Sequence, residues 1–260
     1  MSLFNDNLKN IGIKSIAVLI IASFLVLFLL NRFGFPFNQS WISVVIIIYF
    51  IFKLWNYRDS FIDDLKNMFS KINLKYIVLI VFLNIFFSYG MLYFSNFIVT
   101  SFPSLDFLIS FSLPSRSVMG YLPFVGGFLS TVILSSISEE LVFRGVLISR
   151  LRLIVPTVFA IIISSLLFGA LHSFGSIFSA FVFAVCMAIL YLKTDNICVP
   201  IFAHFLNNLI AETIRLVDVN EVLFTNGNVI FAVSAFAVIS AIILFVSIFK
   251  ELKMLNNKRL

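Results

Sequence analysis

An uncharged apolar run occupies residues 175–192, GSIFSAFVFAVCMAILYL. An α-helix rises about 1.5 Å per residue, so a run of this length nearly crosses the roughly 30 Å hydrocarbon core of a bilayer. The whole chain has the same character, since 61% of its 260 residues are hydrophobic and 12% are charged. A typical soluble domain has about 45–50% apolar and about 25% charged residues. The composition therefore excludes an ordinary soluble protein and predicts that most of the chain lies in lipid.

Seven further apolar stretches accompany this run and predict an all-α fold, a polytopic integral membrane bundle of about eight transmembrane helices. The predicted spans are residues 13–31, 39–55, 75–99, 122–148, 155–173, 175–192, 197–213 and 228–249. The segment at about 58–75 combines charges with apolar residues at helical spacing, which predicts an amphipathic helix on the cytoplasmic face. Prolines and serines between about 100 and 121 predict a loop on the outer side.

The basic residues predict the orientation of the chain. The formal net charge is +6, and in a membrane protein such an excess marks cytoplasmic loops that face anionic lipid, so we expect no nucleic-acid partner. One side of the predicted bundle carries only Arg32, Arg116 and Arg215. The other side collects Lys9, Lys14, Lys53, Arg58, Lys66, Lys71, Lys75, Arg150, Arg152, Lys193, Lys250, Lys253, Lys258 and Arg259. Both termini are therefore predicted to be cytoplasmic.

The predicted spans divide the chain into three parts of one membrane domain. Residues 1–121 hold the N-terminal transmembrane helices and the amphipathic segment, 122–213 hold a core that contains the polar motifs below, and 214–260 hold a last helix and a basic tail. Frequent Phe, Ile, Asn and Lys, whose codons are AT-rich, indicate a bacterium. The expected location is thus a bacterial plasma membrane.

The fourth span contains three ionisable residues in the sequence SEELVFRG at 138–145. Each would cost about 2.5–3.5 kcal/mol at the centre of a lone helix in lipid, so all three must face protein or water and need partners. Glu140 and Arg144 are four residues apart and lie within salt-bridge reach on one helix face. Glu139 is turned about 100° away from Glu140, so it is free to face a cavity and act as a general base.

The two histidines of the chain each have a polar or aromatic companion four residues away. Phe168 precedes His172 at the end of the fifth span, and Asn208 follows His204 in the seventh. His204 and Asn208 share a helix face and could both direct N–H donors toward one point. Each group also has a structural interpretation, as an ion pair, a packed histidine or an interhelical amide. Their joint occurrence on three spans favours a site.

In order, Glu139-Glu140-x-x-x-Arg144, Phe168-x-x-x-His172 and His204-x-x-x-Asn208 resemble the three motifs of the CAAX protease and bacteriocin-processing enzyme (CPBP, or Abi) family. That family includes the Ras-converting CAAX endopeptidases. All three motifs are complete and cover about residues 122–212, whereas the first three spans lie outside the resemblance.

The resemblance implies an eight-helix intramembrane protease whose cavity opens toward the cytoplasm. It implies that Glu139 activates water held by His172 and that His204 and Asn208 stabilise the oxyanion. Glu140 and Arg144 would brace the site, and Phe168 would pack beside His172. Glu139, His172 and His204 could instead bind one divalent zinc ion, although we favour a metal-free, glutamate-dependent reaction. A covalent Ser or Cys mechanism is disfavoured, and Cys186 and Cys198 are expected to pack rather than react.

The expected partners are the lipid bilayer and a peptide or membrane-protein substrate. The eukaryotic branch of the family cleaves after a prenylated Cys, and the bacterial composition argues against that substrate here. A short lipophilic or membrane-associated peptide is the better expectation. Two alternatives stay open: a non-enzymatic membrane protein that confers immunity to a bacteriocin, and a proton-coupled transporter whose Glu and His form a relay.

Overall fold

A computed structural model describes residues 2–35, 40–102 and 127–257, and these residues form helices and turns without a β-strand. The N-terminal helices are α1 Leu3–Leu8, α2 Ile13–Arg32, α3 Ser40–Leu54, α4 Arg58–Lys66 and α5 Leu74–Ser101. Helix α6 spans residues 127–151 of the described chain and alternates between two windings, described below. The remaining helices are α7 Thr157–Ala170, α8 Ile177–Thr194, α9 Cys198–Val217, α10 Val222–Thr225 and α11 Gly227–Asn257.

A helix lies at each of the eight predicted spans, so the prediction of an all-α polytopic bundle is confirmed, while the number of membrane crossings stays a prediction. Among the described residues, five helical segments are long and apolar enough to cross a membrane. They are Ile13–Arg32 (α2), Ser40–Lys66 (α3 and α4 taken together), Leu74–Ser101 (α5), Phe174–Thr194 (α8 with the turn before it) and Gly227–Asn256 (α11). Helix α7 is apolar but shorter. Helices α6 and α9 are not in this group, and both contain polar motif residues.

Helix α8 forms the centre of the bundle. It has apolar residues on all sides, and every residue from 182 to 191 is buried. A helix that is apolar all round is stable only when neighbours or lipid surround it completely. Here α5, α6, α7 and α9 pack against it, so α8 is a scaffold on which the motif-bearing helices are placed.

Helix α6 changes its winding at the glutamate motif. Ser130–Ser135 and Leu141–Ile148 are π-helical, whereas Ser136–Glu140 and the last turn, Ser149–Leu151, are α-helical. π-helical turns are rare and occur frequently at functional sites. The apolar pattern predicted a helix here but could not predict this alternation.

A short helix that the sequence analysis did not predict, α1, is docked on the ends of several others. Asn5 is fully buried and donates to Asp64 Oδ2 (3.1 Å) and to the carbonyl oxygen of Asp195 (3.0 Å). Its Oδ1 accepts from the backbone N–H of Ile197 at 3.2 Å. Leu8 packs against Gly145, where a Cβ would lie 3.2 Å from the leucine methyl groups. Helix α1 thereby joins α4, α6 and the turn between α8 and α9.

The amphipathic segment is shorter than predicted, because α4 ends at Lys66 and residues 67–73 form turns. Phe61 packs against α1, with the rings of Phe4 and Phe61 4.9 Å apart, while Ile62 and Leu65 stay 45% and 50% exposed. Packing on α1 therefore replaces only part of the lipid contact that the pattern predicted. The predicted outer loop at about 100–121 falls mostly outside the described residues.

Candidate active site

Glu140 and Arg144 form the buried ion pair that their spacing predicted. Arg144 Nη1 lies 2.9 Å from Glu140 Oε1, and the two side chains are 1% and 0% exposed. The guanidinium also donates to the carbonyl oxygen of Ala184 at 3.3 Å and lies 4.7 Å from the centre of the Phe168 ring. A buried pair needs such additional contacts, because its desolvation penalty can exceed its Coulombic gain. Arg144 thus fixes Glu140 against α7 and α8.

His204 from α9 is held by the same glutamate. Its Nδ1 lies 2.8 Å from Glu140 Oε1, and its ring is almost fully buried. Glu140 Oε1 is already paired with the Arg144 guanidinium, so we assign the hydrogen of this contact to His204 Nδ1. The second ring nitrogen, Nε2, is 3.9 Å from Glu139 Oε2. Glu140 therefore orients His204 so that its other nitrogen faces Glu139.

Glu139 occupies a different environment from its neighbour. Its side chain is 32% exposed, whereas that of Glu140 is fully buried. The hydroxyl of Ser135 donates to Glu139 Oε1, so Oε2 is the oxygen on the side of His204. The 3.9 Å gap to His204 Nε2 is too long for a direct hydrogen bond, but one water oxygen can lie about 2.8 Å from both atoms. The sequence-based division between a paired and an accessible glutamate agrees with this geometry.

Phe168 connects the second motif to the other two. Its ring centre lies 4.8 Å from that of His172 and 6.1 Å from that of His204. His172 follows the end of α7, and its Nδ1 donates to the carbonyl oxygen of Phe168 at 2.9 Å, which leaves Nε2 as an acceptor. Gly169 permits close packing of α7 on α8, since a Cβ there would lie 2.8 Å from the carbonyl oxygen of Ile177.

Asn208 bridges α9 and α6. Its amide nitrogen donates to the carbonyl oxygen of Thr131 at 2.9 Å and to Ser136 Oγ at 3.3 Å. Both amide hydrogens are therefore used within the protein. A role for Asn208 as an oxyanion donor, as the resemblance implies, would require that one of these hydrogens is shared with the oxyanion, and the longer bond to Ser136 is the weaker of the two.

Glu139, His172 and His204 are the residues that the sequence analysis considered as zinc ligands. Among the described residues, no three His, Cys, Asp or Glu side chains are grouped closely enough to hold one metal ion. Glu139 and His204 approach each other, whereas His172 joins the site through Phe168. The donor set therefore does not fit a zinc ion as it stands, and no step proposed below uses a metal. Cys186 and Cys198 are buried free thiols.

An apolar cavity of about 540 Å³ adjoins the site. Helices α3 and α4 form one wall, and α6 and α9 form the other. Ser136, which accepts from Asn208, is one of its lining residues, whereas none of the seven motif residues lines it. Its other walls include Phe50, Phe61, Ile137, Ile201 and Phe205.

Three polar groups at this site were missed by the sequence analysis: Ser135, Ser136 and the carbonyl oxygen of Thr131. Ser135 could have been found, because it precedes Glu139 by four residues, the same spacing that indicated the pair of Glu140 and Arg144. The contacts of Ser136 and Thr131 depend on how α9 packs on α6, and no local spacing reports that.

These features define a polytopic helical membrane protein with a carboxylate, guanidinium and imidazole cluster beside an apolar cavity. A model of the family described as type II CAAX prenyl endopeptidase, Rce1-like, matches residues 121–210. The matched segment contains all seven motif residues, so it is similar to the family that the motifs resemble, and the match supports an intramembrane protease. No curated protein and no solved structure matches the chain.

Proposed function

We propose that the protein is an intramembrane endopeptidase that hydrolyses a peptide bond with water activated by Glu139. The single observation that carries this proposal is the pairing of an accessible carboxylate with a buried one across His204. One carboxylate is left for proton transfer, while the other is committed to holding the imidazole and the guanidinium. Such a separation of environments is typical of acid–base sites.

In the proposed reaction a water molecule lies between Glu139 Oε2 and His204 Nε2. The family resemblance gives His172, through its free Nε2, the task of holding that water. Glu139 takes one proton of that water, and the oxygen attacks the carbonyl carbon of the substrate. The tetrahedral intermediate then breaks its C–N bond as Glu139 returns the proton to the amine nitrogen. The products are a carboxylic acid and an amine, so the atoms and charges balance without a covalent enzyme intermediate.

The oxyanion of that intermediate would be stabilised from α9. With a proton bound at Nε2 before the reaction begins, His204 would donate Nδ1–H to Glu140 and Nε2–H to the oxyanion, and it would keep both protons throughout, so the balance above is unchanged. Asn208 would add a second donor by sharing with the oxyanion the amide hydrogen that now lies on Ser136, while its other amide hydrogen stays on the carbonyl oxygen of Thr131. Fixed donors in a water-poor site are worth more than donors in water. Glu140 and Arg144 maintain this geometry without contacting the substrate.

The substrate that we propose is a short lipophilic or membrane-associated peptide. The apolar cavity beside Ser136 offers about 540 Å³ for an apolar part of such a molecule. The surrounding bilayer can deliver an amphipathic peptide laterally. We further propose that the site is reached from the cytoplasmic side, where the basic residues are concentrated.

The test is cleavage of a library of lipophilic peptides by the purified protein in liposomes, followed by mass spectrometry. Wild type should cleave at least one peptide, whereas Glu139→Gln and Glu140→Gln should not. Glu212→Gln is the control, because Glu212 pairs with Arg215 at 3.5 Å on α9 and has no proposed role. A strong chelator should leave cleavage unchanged. Equal cleavage by wild type and Glu139→Gln would refute the proposal.

The cavity yields a separate prediction about binding. Ile201→Trp places a larger side chain in the cavity, so KM for a cleaved lipophilic peptide should rise about tenfold, the effect of roughly 1.4 kcal/mol. The control is Leu166→Trp on α7, because Leu166 is 56% exposed at the outer surface of the bundle. Steady-state kinetics of both variants would check this. A selective fall in kcat for Ile201→Trp would mean that the cavity does not hold substrate.

A further inference from the structure

We propose that Ser135 and Ser136, at the transition of α6 from π to α winding, are positioning residues for the reaction. Ser135 fixes the carboxylate of Glu139, and Ser136 fixes the carboxamide of Asn208. This inference rests on the proposed function, which gives Glu139 and Asn208 their roles. The matched family motifs contain Glu139 and Asn208 but neither serine.

Ser135 makes an unusual contact for a serine within a helix. Helix serines ordinarily donate to a backbone carbonyl about one turn back, as Ser95 does to Leu92 (2.9 Å) and Ser138 does to Ser135 (3.3 Å). The single hydroxyl hydrogen of Ser135 is instead donated to Glu139 Oε1. That hydrogen bond commits one carboxylate oxygen to the helix and directs the other toward His204.

The hydrogen bond from Ser135 matters because Glu139 is the less constrained of the two glutamates. Its side chain is 32% exposed and has several rotamers available, whereas Glu140 is fixed by Arg144 and His204. Without a partner on Oε1, the carboxylate could turn about its terminal torsion, which is broad. A misplacement of about 1 Å at a reacting group can lower the rate about 100-fold.

Ser136 performs the corresponding task for the neighbouring helix. It is fully buried, so its hydroxyl oxygen is fixed among packed atoms. It accepts the second amide hydrogen of Asn208, while the first is held by the carbonyl oxygen of Thr131. The amide plane of Asn208 is therefore defined by two acceptors on α6. The hydrogen on Ser136 is the one that we propose the oxyanion would share.

Two consecutive hydroxyls thus fix the positions of Glu139 on α6 and Asn208 on α9 relative to each other. Successive residues of an α-helix point about 100° apart, so one serine can reach along α6 while the next reaches across to α9. Ser136 also lines the apolar cavity. Ser136 is thus the member of the pair that stands between Asn208 and the cavity proposed to bind the substrate.

The experiment compares Ser135→Ala, Ser135→Thr, Ser136→Ala and Ser136→Thr with a control, Ser138→Ala. Ser138 is buried on the same helix, and its hydroxyl bonds only to the backbone. For a peptide cleaved by wild type, Ser135→Ala should lower kcat about 10- to 100-fold at unchanged KM. Ser136→Ala should lower kcat about tenfold. Both threonine variants should recover most of the rate, because they retain the hydroxyl.

A second measurement separates this inference from the proposed function. Thermal unfolding in detergent is followed for Ser135→Ala, Glu139→Ala and the double variant, and likewise for Ser136→Ala and Asn208→Ala. Non-additive shifts in Tm are expected, because each pair shares one hydrogen bond. Additive shifts would overturn the positioning contacts whether or not any peptide is cleaved.

Normal kcat in Ser135→Ala would also overturn the inference, while leaving the endopeptidase proposal intact. A wild type that cleaves nothing would remove the endopeptidase proposal and with it the catalytic part of this one.

Discussion

The two adjacent glutamates have such different surroundings that their substitutions should separate activity from stability. Glu140 is fully buried against Arg144 and His204, and its neutralisation would leave a guanidinium without its counter-ion. We expect Glu140→Gln to lower the free energy of unfolding by about 3–5 kcal/mol, the cost of breaking a buried pair. Glu139→Gln should lower it by less than about 1 kcal/mol, because that side chain is partly exposed.

Thermal unfolding in detergent would measure this difference, with cleavage followed on the same samples. Glu139→Gln should fold normally and be inactive, whereas Glu140→Gln should be both inactive and unstable. Equal Tm values for the two variants would mean that Arg144 does not depend on Glu140 for its burial.

At the scale of helices, the docking of α1 depends on one buried amide. Asn5 makes hydrogen bonds to α4, to the turn after α8 and to the N-terminal end of α9. Asn5→Ala would leave several of these buried groups without a partner, at a cost of about 1–3 kcal/mol. Asn10→Ala is the matched control, because Asn10 is exposed and bonds locally to Asn7. Limited proteolysis near the N-terminus should become faster in Asn5→Ala and stay unchanged in Asn10→Ala.

Local spacing predicted the elements and contacts that arise within one helix. The apolar runs located the eight spans, and the four-residue interval between Glu140 and Arg144 predicted their ion pair. Contacts between distant parts of the chain were not predictable in this way. Asn5 meets Ile197 across 192 positions, and Asn208 meets Thr131 across 77. Such pairs depend on helix packing, which periodicity along one helix does not encode.

Across the whole bundle, α5 and α11, the longest helices in the described part of the chain, pack closely at a small residue. A Cβ added to Gly90 would lie 2.5 Å from the Cβ of Ala237, closer than two carbon atoms can approach. Gly90→Ala should therefore destabilise the protein by about 1–3 kcal/mol, although alanine favours helix. Ala237→Gly should restore much of the loss in the double variant. Gly227→Ala, where a Cβ meets nothing within 4 Å, is the control for all Tm measurements.

The orientation of the bundle in the membrane is also testable. Lys250 lies toward the end of α11, and Val219 lies in the turn between α9 and α10, so most of α11 lies between the two along the chain. The positive-inside rule places Lys250 in the cytoplasm. In intact cells a membrane-impermeant maleimide should label Val219→Cys and spare Lys250→Cys, with little background from the buried Cys186 and Cys198. The reverse pattern would invert the predicted topology.

The two π-helical stretches of α6 make the length of this span as important as its composition. Each joins the short α-helical piece Ser136–Glu140 to the rest of the helix. Deleting one residue from either stretch would keep the segment apolar, yet it would rotate everything on one side by about 100° relative to the other. Glu139 and Glu140 would then no longer face His204. Natural variation in this stretch should consequently tolerate exchanges of one aliphatic residue for another far better than insertions or deletions.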